Sequence, residues 1–404
     1  MMMLKLAWRN IWRNKRRTLI VLTSIIISVS VLLLIDTISM GIMIQMLENQ
    51  INLHIAHIQI HKKGFNDDKT VKNYIPNHLK VEKVLKQINE VKSYSKRIIS
   101  YGLINSAFNS SGVIIVGIEP ENERNITIIP ELIVEGRYIG NRGEIVLGKK
   151  LAQKLNVEVG DKIVLMVSDL NGNVSSDVFR VVGVYESPSS EFDKVYVYIS
   201  IESAQTLLGL GDKIVEFALI LKDQNFINQV KERISRAIGD SYEVLSYDDI
   251  SPLIRIGIEM YKELIWIYYL IFGIAVGFGI INIMLMSVFE RIREFGVLKA
   301  IGMKNKRVFA LILLESFIIG ILGTIIGLFV GLIFYFPLSR TGIDLGIFAE
   351  SLAWFGSGRI IYPVLTGFTL FLLLFTMPFI SVVGAIYPAM KSVKFEPVEA
   401  LKHI

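Results

Sequence analysis

The chain has no cysteine among its 404 residues, which excludes disulfides, thiolate-ligated zinc, iron–sulfur clusters and cysteine nucleophiles together. Charge is scarce as well: Asp, Glu, Lys and Arg make up 20% of the residues, against roughly 25% in soluble proteins. The sequence lacks G-x-x-x-x-G-K-[ST], H-E-x-x-H and G-x-S-x-G, so it offers no phosphate-cradling loop, zinc-protease helix or nucleophile elbow. What it has instead is apolar residues, 52% of the total, gathered into runs. Crossing about 30 Å of hydrocarbon at about 1.5 Å per residue takes about 20 mostly apolar residues. Four stretches reach that length: 19–44, 264–289, 308–336 and 363–386. The polar region between the first two is long enough to bury cores of its own. The composition therefore describes a membrane protein with one large extramembrane domain, not a soluble enzyme or a nucleic-acid binder.

Orientation follows from Lys and Arg near the spans. Residues 1–17 hold Lys5, Arg9, Arg13, Lys15, Arg16 and Arg17 without an acid, 290–307 are rich in Arg and Lys, and the tail carries Lys391, Lys394 and Lys402. The 337–361 loop and the large domain are near charge balance. All three basic segments then lie in the cytoplasm and four spans alternate without conflict. The expected order is a cytoplasmic interfacial helix over 1–17, spans over 18–44, 263–289, 307–336 and 362–387, an extracytoplasmic domain over 45–262, a cytoplasmic segment over 290–306, an outer loop over 337–361 and a cytoplasmic tail over 388–404. The first run follows a basic start but is too long for a signal peptide and has no A-x-A-like site after it, so it reads as an uncleaved span. Before it, Leu4, Ala7, Trp8, Ile11 and Trp12 recur at helical spacing beside cations, which suits a helix at the lipid headgroups or a simple positive anchor.

The first helix is expected to continue as a stalk through Ile44, Leu47, Ile51 and Ile55, changing to strand alternation at Ala56, Ile58 and Ile60. A helix over 79–91 and a strand over 98–104 follow; near the domain's other end the same order recurs as strand 215–221, helix 224–238 and strand 242–245. Two βαβ-like halves around an insertion predict a split ferredoxin-like module. The insertion, about 106–212, reads as mainly β, with strands over 113–117, 144–147, 162–168, 178–184 and 194–199. The fold class is thus four transmembrane helices plus a large α+β extracytoplasmic domain, a ferredoxin-like part with a β-rich insertion.

Gly320, Gly323, Gly327 and Gly331 in the third span, and Gly273 and Gly277 in the second, mark faces where another helix approaches closely. His54, His57 and His61 would share one helical face, but the change at Ala56 separates His54, which favours a polar strand face beside the membrane over a metal site. Asp36 falls near the outer interface and is expected to be solvated; Glu315 is deep enough to need a partner or a polar cleft.

The segment from Asn282 through Glu290, Arg291, Arg293, Glu294, Gly296 and Lys299 to Gly302 is a helix leaving the membrane, a charged turn and a short amphipathic stretch ended by glycine. It resembles the coupling segment of the FtsX/MacB superfamily of ABC-transporter permeases. Glu315 with Gly320, Gly323 and Gly327 resembles that family's third span, Ala385 to Pro388 and Pro397 to Leu401 its closing motif, and Gly136-Arg137, Glu144 to Gly148, Val159-Gly160-Asp161 and Val181 to Gly183 its periplasmic core domain. Within the superfamily, Ala56 to His61, Gly117 to Pro120 and Glu135-Gly136-Arg137 are most similar to the LolC/LolE lipoprotein-releasing permeases. The resemblance implies a non-catalytic subunit of the bacterial inner membrane, with ATP and Mg on a separate LolD-like ATPase docked at Glu290, Arg291, Arg293, Glu294, Gly296, Lys299 and Gly302. It implies pairing with a second copy or a paralogue, contact with membrane lipids and a lipoprotein substrate, and a periplasmic lipoprotein chaperone whose nearest candidate contact is 187–193; no cofactor or metal is bound by this chain itself, and no nucleic acid. Ile42, Met43, Met46, Leu264 and Tyr268 are the expected lining of an acyl-chain cavity. The alternatives are an FtsX-like scaffold for a cell-wall hydrolase and MacB-like efflux of an amphiphile.

Overall fold

The computed structural model describes residues 2–13, 15–354 and 356–394. In chain order its main elements are α1 (Met2–Arg13), α2 (Lys15–Gln50), β1 (Ile58–Lys62), α3 (His78–Leu85), β2 (Val91–Asn105), β3 (Ser110–Ile118), β4 (Ile133–Gly136), β5 (Glu144–Gly148), β6 (Lys162–Ser168), β7 (Val174–Tyr185), α4 (Ser190–Val195), β8 (Tyr196–Ser200), β9 (Glu216–Leu221), α5 (Ile227–Ile238), β10 (Tyr242–Ser246), α6 (Pro252–Glu290), α7 (Ile292–Ala300), α8 (Asn305–Thr341) and α9 (Gly367–Lys394). The chain divides into a helical unit, residues 1–43, 257–343 and 361–404, and an α/β unit, residues 44–256 and 344–360.

Among the described residues, four helices are long and apolar enough to cross a membrane: Thr18–Ile55, Glu259–Glu290, Asn305–Thr341 and Gly367–Lys394. Each buries one stripe and exposes the rest: Ile25, Val29 and Leu33 of α2 are buried while Ile20, Ile27 and Val31 are exposed, as expected of helices solvated by lipid on one side. Glycine sets the spacing between helices. A Cβ added at Gly320 of α8 would stand 2.7 Å from Ser381 Oγ of α9; at Gly323, 2.7 Å from Ile25 Cγ2; at Gly327, 2.8 Å from Val29 Cβ and 3.0 Å from the Ile26 carbonyl oxygen. Gly331 is looser, 3.3 Å from the Ser30 Cα. Small hydroxyls reinforce the contacts: Ser30 donates to the Gly327 carbonyl at 2.9 Å and Ser316 to the Ser381 carbonyl at 2.7 Å. One run of small residues thus receives α9 at its start and α2 further along.

The α/β unit is built on a 10-stranded sheet in the order β10-β1-β9-β2-β3-β8-β5-β7-β4, with β6 pairing β2 and β7. The first four strands are antiparallel neighbours, and α3 and α5 pack together; this is the ferredoxin-like order, and the remaining strands are the insertion. Val81 and Leu85 of α3 and Val230, Ile234 and Ile238 of α5 join Ile58, Ile60, Phe217 and Leu219 of the sheet in one core. β2 is the shared strand. Its first half pairs β9 as far as Arg97 opposite Glu216, and its second half pairs β3 from Arg97 opposite Ile118.

Several expectations are corrected. α3 stops at Leu85 and not at 91, because Val91 is already opposite Leu221 in the sheet. The strand expected from 194 begins at Tyr196, since Ser189 caps α4 by accepting from the Phe192 N–H at 3.3 Å. β4 was not anticipated; its four residues carry no alternation. α8 runs to Thr341 through Pro337, and α9 runs to Lys394, so helix covers the start of the expected 337–361 loop and of the expected tail from 388. The closing residues Pro397 to Leu401 lie outside the described residues. Asp36 is buried, and Tyr261 of α6 donates to its Oδ1 at 2.6 Å.

Leucine at Gly327 has no room against the Ile26 backbone, and overpacking of this kind costs about 1–3 kcal/mol. G327L is expected to lower the Tm of the purified protein clearly, whereas G279L, at a helical glycine with nothing within 4 Å, leaves it nearly unchanged. Equal Tm values for the two variants would show that the small-residue face does not set the packing.

Candidate functional site

The charged segment after α6 folds as a short helix clamped from several sides. α6 ends at Glu290 and Arg291 leaves helical geometry, with φ −113° and ψ 16°. α7 then runs from Ile292 to Ala300, burying Ile292, Phe295 and Gly296. Gly302, at φ +97°, supplies a backbone conformation that side chains with a Cβ avoid, and the chain re-enters α8.

Arg291 is buried and turned inward. Its Nη1 donates to both oxygens of Glu315 at 3.2 and 3.1 Å, its Nε donates to Glu294 Oε2 at 3.1 Å, and its guanidinium carbon lies 5.3 Å from the Phe295 ring centre. Asn10 of α1 donates to Glu315 Oε1 at 2.7 Å, and Arg13 Nη2 donates to Glu294 Oε2 at 2.6 Å and pairs also with Oε1. Burial alone would raise the Glu294 carboxyl, but its hydrogen bonds from Arg13 and Arg291 outweigh that and hold its pKa below the ordinary value. Lys299, whose pKa is lowered by burial, donates to the Val393 carbonyl of α9 at 2.8 Å. α7 is therefore tied to α1, α8 and α9 by side chains of opposite charge and by one lysine on a carbonyl.

Of the seven residues the sequence singles out here, Arg291 and Gly296 are interior, Glu294 and Lys299 are half-buried within the clamp, and Glu290, Arg293 and Gly302 are exposed. Arg291 is thus a positioning residue, turned into the fold. The outward face adds Val297, 42% exposed, and Ile301, 80% exposed. Sequence reasoning missed both, although Arg293, Val297 and Ile301 recur every four residues and so share a face. It also missed Asn10 and Arg13 as partners of this segment; no local pattern reveals a contact across so much sequence.

The five expected cavity residues all lie at least partly open to the outside. Leu264 and Tyr268 are exposed, and Ile42, Met43 and Met46 half-buried. An apolar groove of the helical unit, about 810 Å³, lies between α6 and α9 with Trp266, Gly273, Gly277, Phe278 and Ile380 on its walls, and none of the five lines it. The three histidines separate as expected at Ala56, which sits at φ 60° after a π-helical turn, Ile51–Ile55. They do not form a solvated polar face: His57 and His61 are buried, His57 Nδ1 accepting from the Leu221 N–H at 3.0 Å and His61 Nε2 facing Glu216 at 2.9 Å. No cluster of metal-ligating side chains occurs among the described residues. Over 187–193, α4 is folded back so that Asp193 is buried and accepts from the Ser187 N–H at 3.1 Å. Burial pushes its carboxyl up to about 7.

Two family models divide the chain between them. The MacB-like periplasmic core domain matches residues 18–237 and the FtsX-like permease C-terminal domain residues 266–397. This chain belongs to the FtsX/MacB family of ABC-transporter permeases. Among curated relatives, an uncharacterized ABC transporter permease of Methanocaldococcus jannaschii is 24% identical, covering 98% of this chain and 96% of its own. The lipoprotein-releasing system transmembrane protein LolE of Haemophilus influenzae is 23% identical over 88% of each chain. The macrolide export ATP-binding/permease protein MacB of Campylobacter jejuni is 24% identical over 98% of this chain and 60% of that protein. The permease is a membrane protein, and its family implies an ABC ATPase as partner. In the FtsX-like C-terminal part, α7 joins the span helices α6 and α8.

Removing one member of a buried ion pair costs about 3–5 kcal/mol, while replacing both by apolar groups is often neutral. R291A is therefore expected to lower Tm strongly, and R291M combined with E315L to recover most of the loss; a double variant no better than R291A would contradict the clamp. A second expectation concerns pH. Asp193 keeps its proton to about pH 7 when folded but loses it near 3.8 when unfolded, so its contribution is complete below pH ~3.8 and disappears as pH rises to ~7. Melting curves between pH 4 and 7 should show a decline in the wild type that D193N flattens.

Proposed function

We propose that this permease is the non-catalytic membrane subunit of a transporter that releases lipoproteins from the outer leaflet of the bacterial inner membrane, driven by a separate ATPase of LolD type. The observation that carries the reading is α7: a short helix with its inner face clamped by Arg291, Glu294, Phe295 and Lys299 and its outer face presenting Arg293, Val297 and Ile301. An exposed isoleucine and valine flanked by cations form an anchor of the kind that dominates protein interfaces only when a pocket receives it. ATP and Mg would sit on the partner. Movement of that partner would push α7, and the clamp would pass the push to α1, α8 and α9.

Lipoproteins are favoured as cargo by the LolE relative, matched over 88% of both chains. Release of an acyl chain from lipid costs about 0.8 kcal/mol per CH₂, so an apolar surface must receive it; Ile42, Met43, Met46, Leu264 and Tyr268 are proposed to do so, with a second copy or a paralogue completing the site. The basic segments favour cytoplasmic termini and a periplasmic large domain. A periplasmic lipoprotein chaperone would meet the domain at 187–193.

I301D and V297D are expected to weaken co-purification of the ATPase about tenfold or more without loss of the permease from the membrane; undiminished association would contradict docking at α7. A photocrosslinker at Met43 or Tyr268 is expected to capture lipoprotein before ATP is added and to lose it afterwards. Labelling of bulk phospholipid alone, insensitive to ATP, would contradict lipoprotein release while leaving docking intact.

A further inference from the structure

The α/β unit contains a partly enclosed cavity of about 470 Å³, whose wall shares Ser189, Glu191 and Phe192 with the proposed chaperone contact but whose interior the transport reading does not use. Its volume falls in the range of small-molecule sites, roughly 300–1,000 Å³. The walls come from the π-helical turn after α2, from β1 and β9, and from α4 and the start of β8; Leu53, Phe65, Ile99, Phe192 and Tyr196 make much of them apolar or aromatic. Two imidazoles also line it, and each has a buried ring nitrogen, His54 Nδ1 and His61 Nδ1, with no hydrogen-bond partner. A buried polar atom left without a partner costs free energy, so two in one cavity wall are a signature that something else completes them.

The neighbours say what kind of group that is. His61 Nε2 faces Glu216 Oε2 at 2.9 Å, while Glu216 Oε1 accepts from Arg97 at 2.9 Å. Burial, helped by Lys69, lowers the His61 pKa to about 3, and burial raises that of Glu216 to about 7. Above pH 7 the imidazole is neutral and the carboxylate charged, so the single ring proton sits on Nε2 and Nδ1 is a bare acceptor. Glu243 Oε1 stands 3.9 Å from that same Nδ1, too far for a direct bond. That oxygen already accepts from the Asn66 N–H at 3.0 Å, so the bare Nδ1 itself calls for a donor. His54, its ring 4.9 Å from that of Tyr196, adds a second unpartnered nitrogen beside the aromatic wall.

We propose that this cavity binds a small amphiphile, its apolar body against Phe65, Phe192 and Tyr196 and its hydrogen-bond-donating head group, an alcohol or amine, directed at the His54 and His61 nitrogens. The site is built into the α/β unit and is independent of ATPase docking at α7.

The test is a matched pair of probes on the full chain in lipid nanodiscs at pH 7.5: 4-butylphenol, which donates, and 4-butylanisole, which has the same body and no donor. With ¹⁵N-labelled histidine, the phenol is expected to shift the His54 and His61 ring nitrogens saturably and to leave His78 in place. The anisole is expected to bind about tenfold more weakly, the loss of roughly one hydrogen bond. H54F keeps a ring against Tyr196 but removes the nitrogen; it is expected to weaken the phenol several-fold and to raise Tm in its absence. V195W, which fills the cavity, is expected to abolish the shifts. Equal affinities for the two probes, non-saturating shifts at every histidine, or undiminished binding to H54F and V195W would overturn the proposal and leave a cavity that holds only water.

Discussion

Arg291 and Glu315 face each other in the interior of the helical unit, both nearly out of reach of solvent. Two charges so placed cannot be separated without leaving one of them unpaired, which makes the pair an all-or-none link. Glu315 is anchored in α8 and also takes Asn10 of α1; Arg291 sits at the break between α6 and α7 and also holds Glu294, which in turn takes Arg13. One ion pair therefore fixes where the first helix lies, where the second span ends and how α7 is presented. Everything proposed for α7 as a receiver of force depends on its inner face being held this way.

The α/β unit solves a similar problem with the same chemistry. Arg97 is fully buried where β2 passes from the ferredoxin-like strands to the insertion; its guanidinium meets Glu123 at 2.6 Å, Glu216 at 2.9 Å and the His54 carbonyl at 2.6 Å. Glu123 belongs to the insertion, Glu216 to β9 and His54 to the turn leading out of α2, so one side chain joins three separate parts of the unit. The buried acids around it outnumber its single charge, and His61 beside Glu216 stays neutral. Two imidazole nitrogens of the nearby cavity wall, His54 Nδ1 and His61 Nδ1, are left without a partner, which is the chemistry the second site would exploit.

These two clusters differ from the helix packing in kind. Between α8, α2 and α9 the contacts are of small residues, Gly320, Gly323 and Gly327 against Ser381, Ile25 and Val29, and they act by proximity and not by charge. Such a seam tolerates sliding better than a buried ion pair does, because no charge is stranded when it shifts. Glycine thus sits between the spans and arginine at their ends.

Much of this was legible in the residues. Runs of apolar side chains set the four spans, since length and hydropathy are local quantities. The alternation at Ile58 and Ile60 and the repeated strand–helix–strand order marked both halves of the ferredoxin-like module, and the segment around Glu290 to Gly302 pointed to its family. Tertiary structure decided the rest. Asp36 looked solvated by its distance from the start of the first span, yet Tyr261, far along the chain, covers it. Arg291 looked like a surface charge in a charged turn, yet it faces inward because Glu315 and Phe295 wait there. Val297 and Ile301 looked like ordinary helix residues, yet the clamp on the opposite face leaves them outside. Which side of a short helix is buried depends on partners brought close by the fold, and periodicity within one segment carries no record of them.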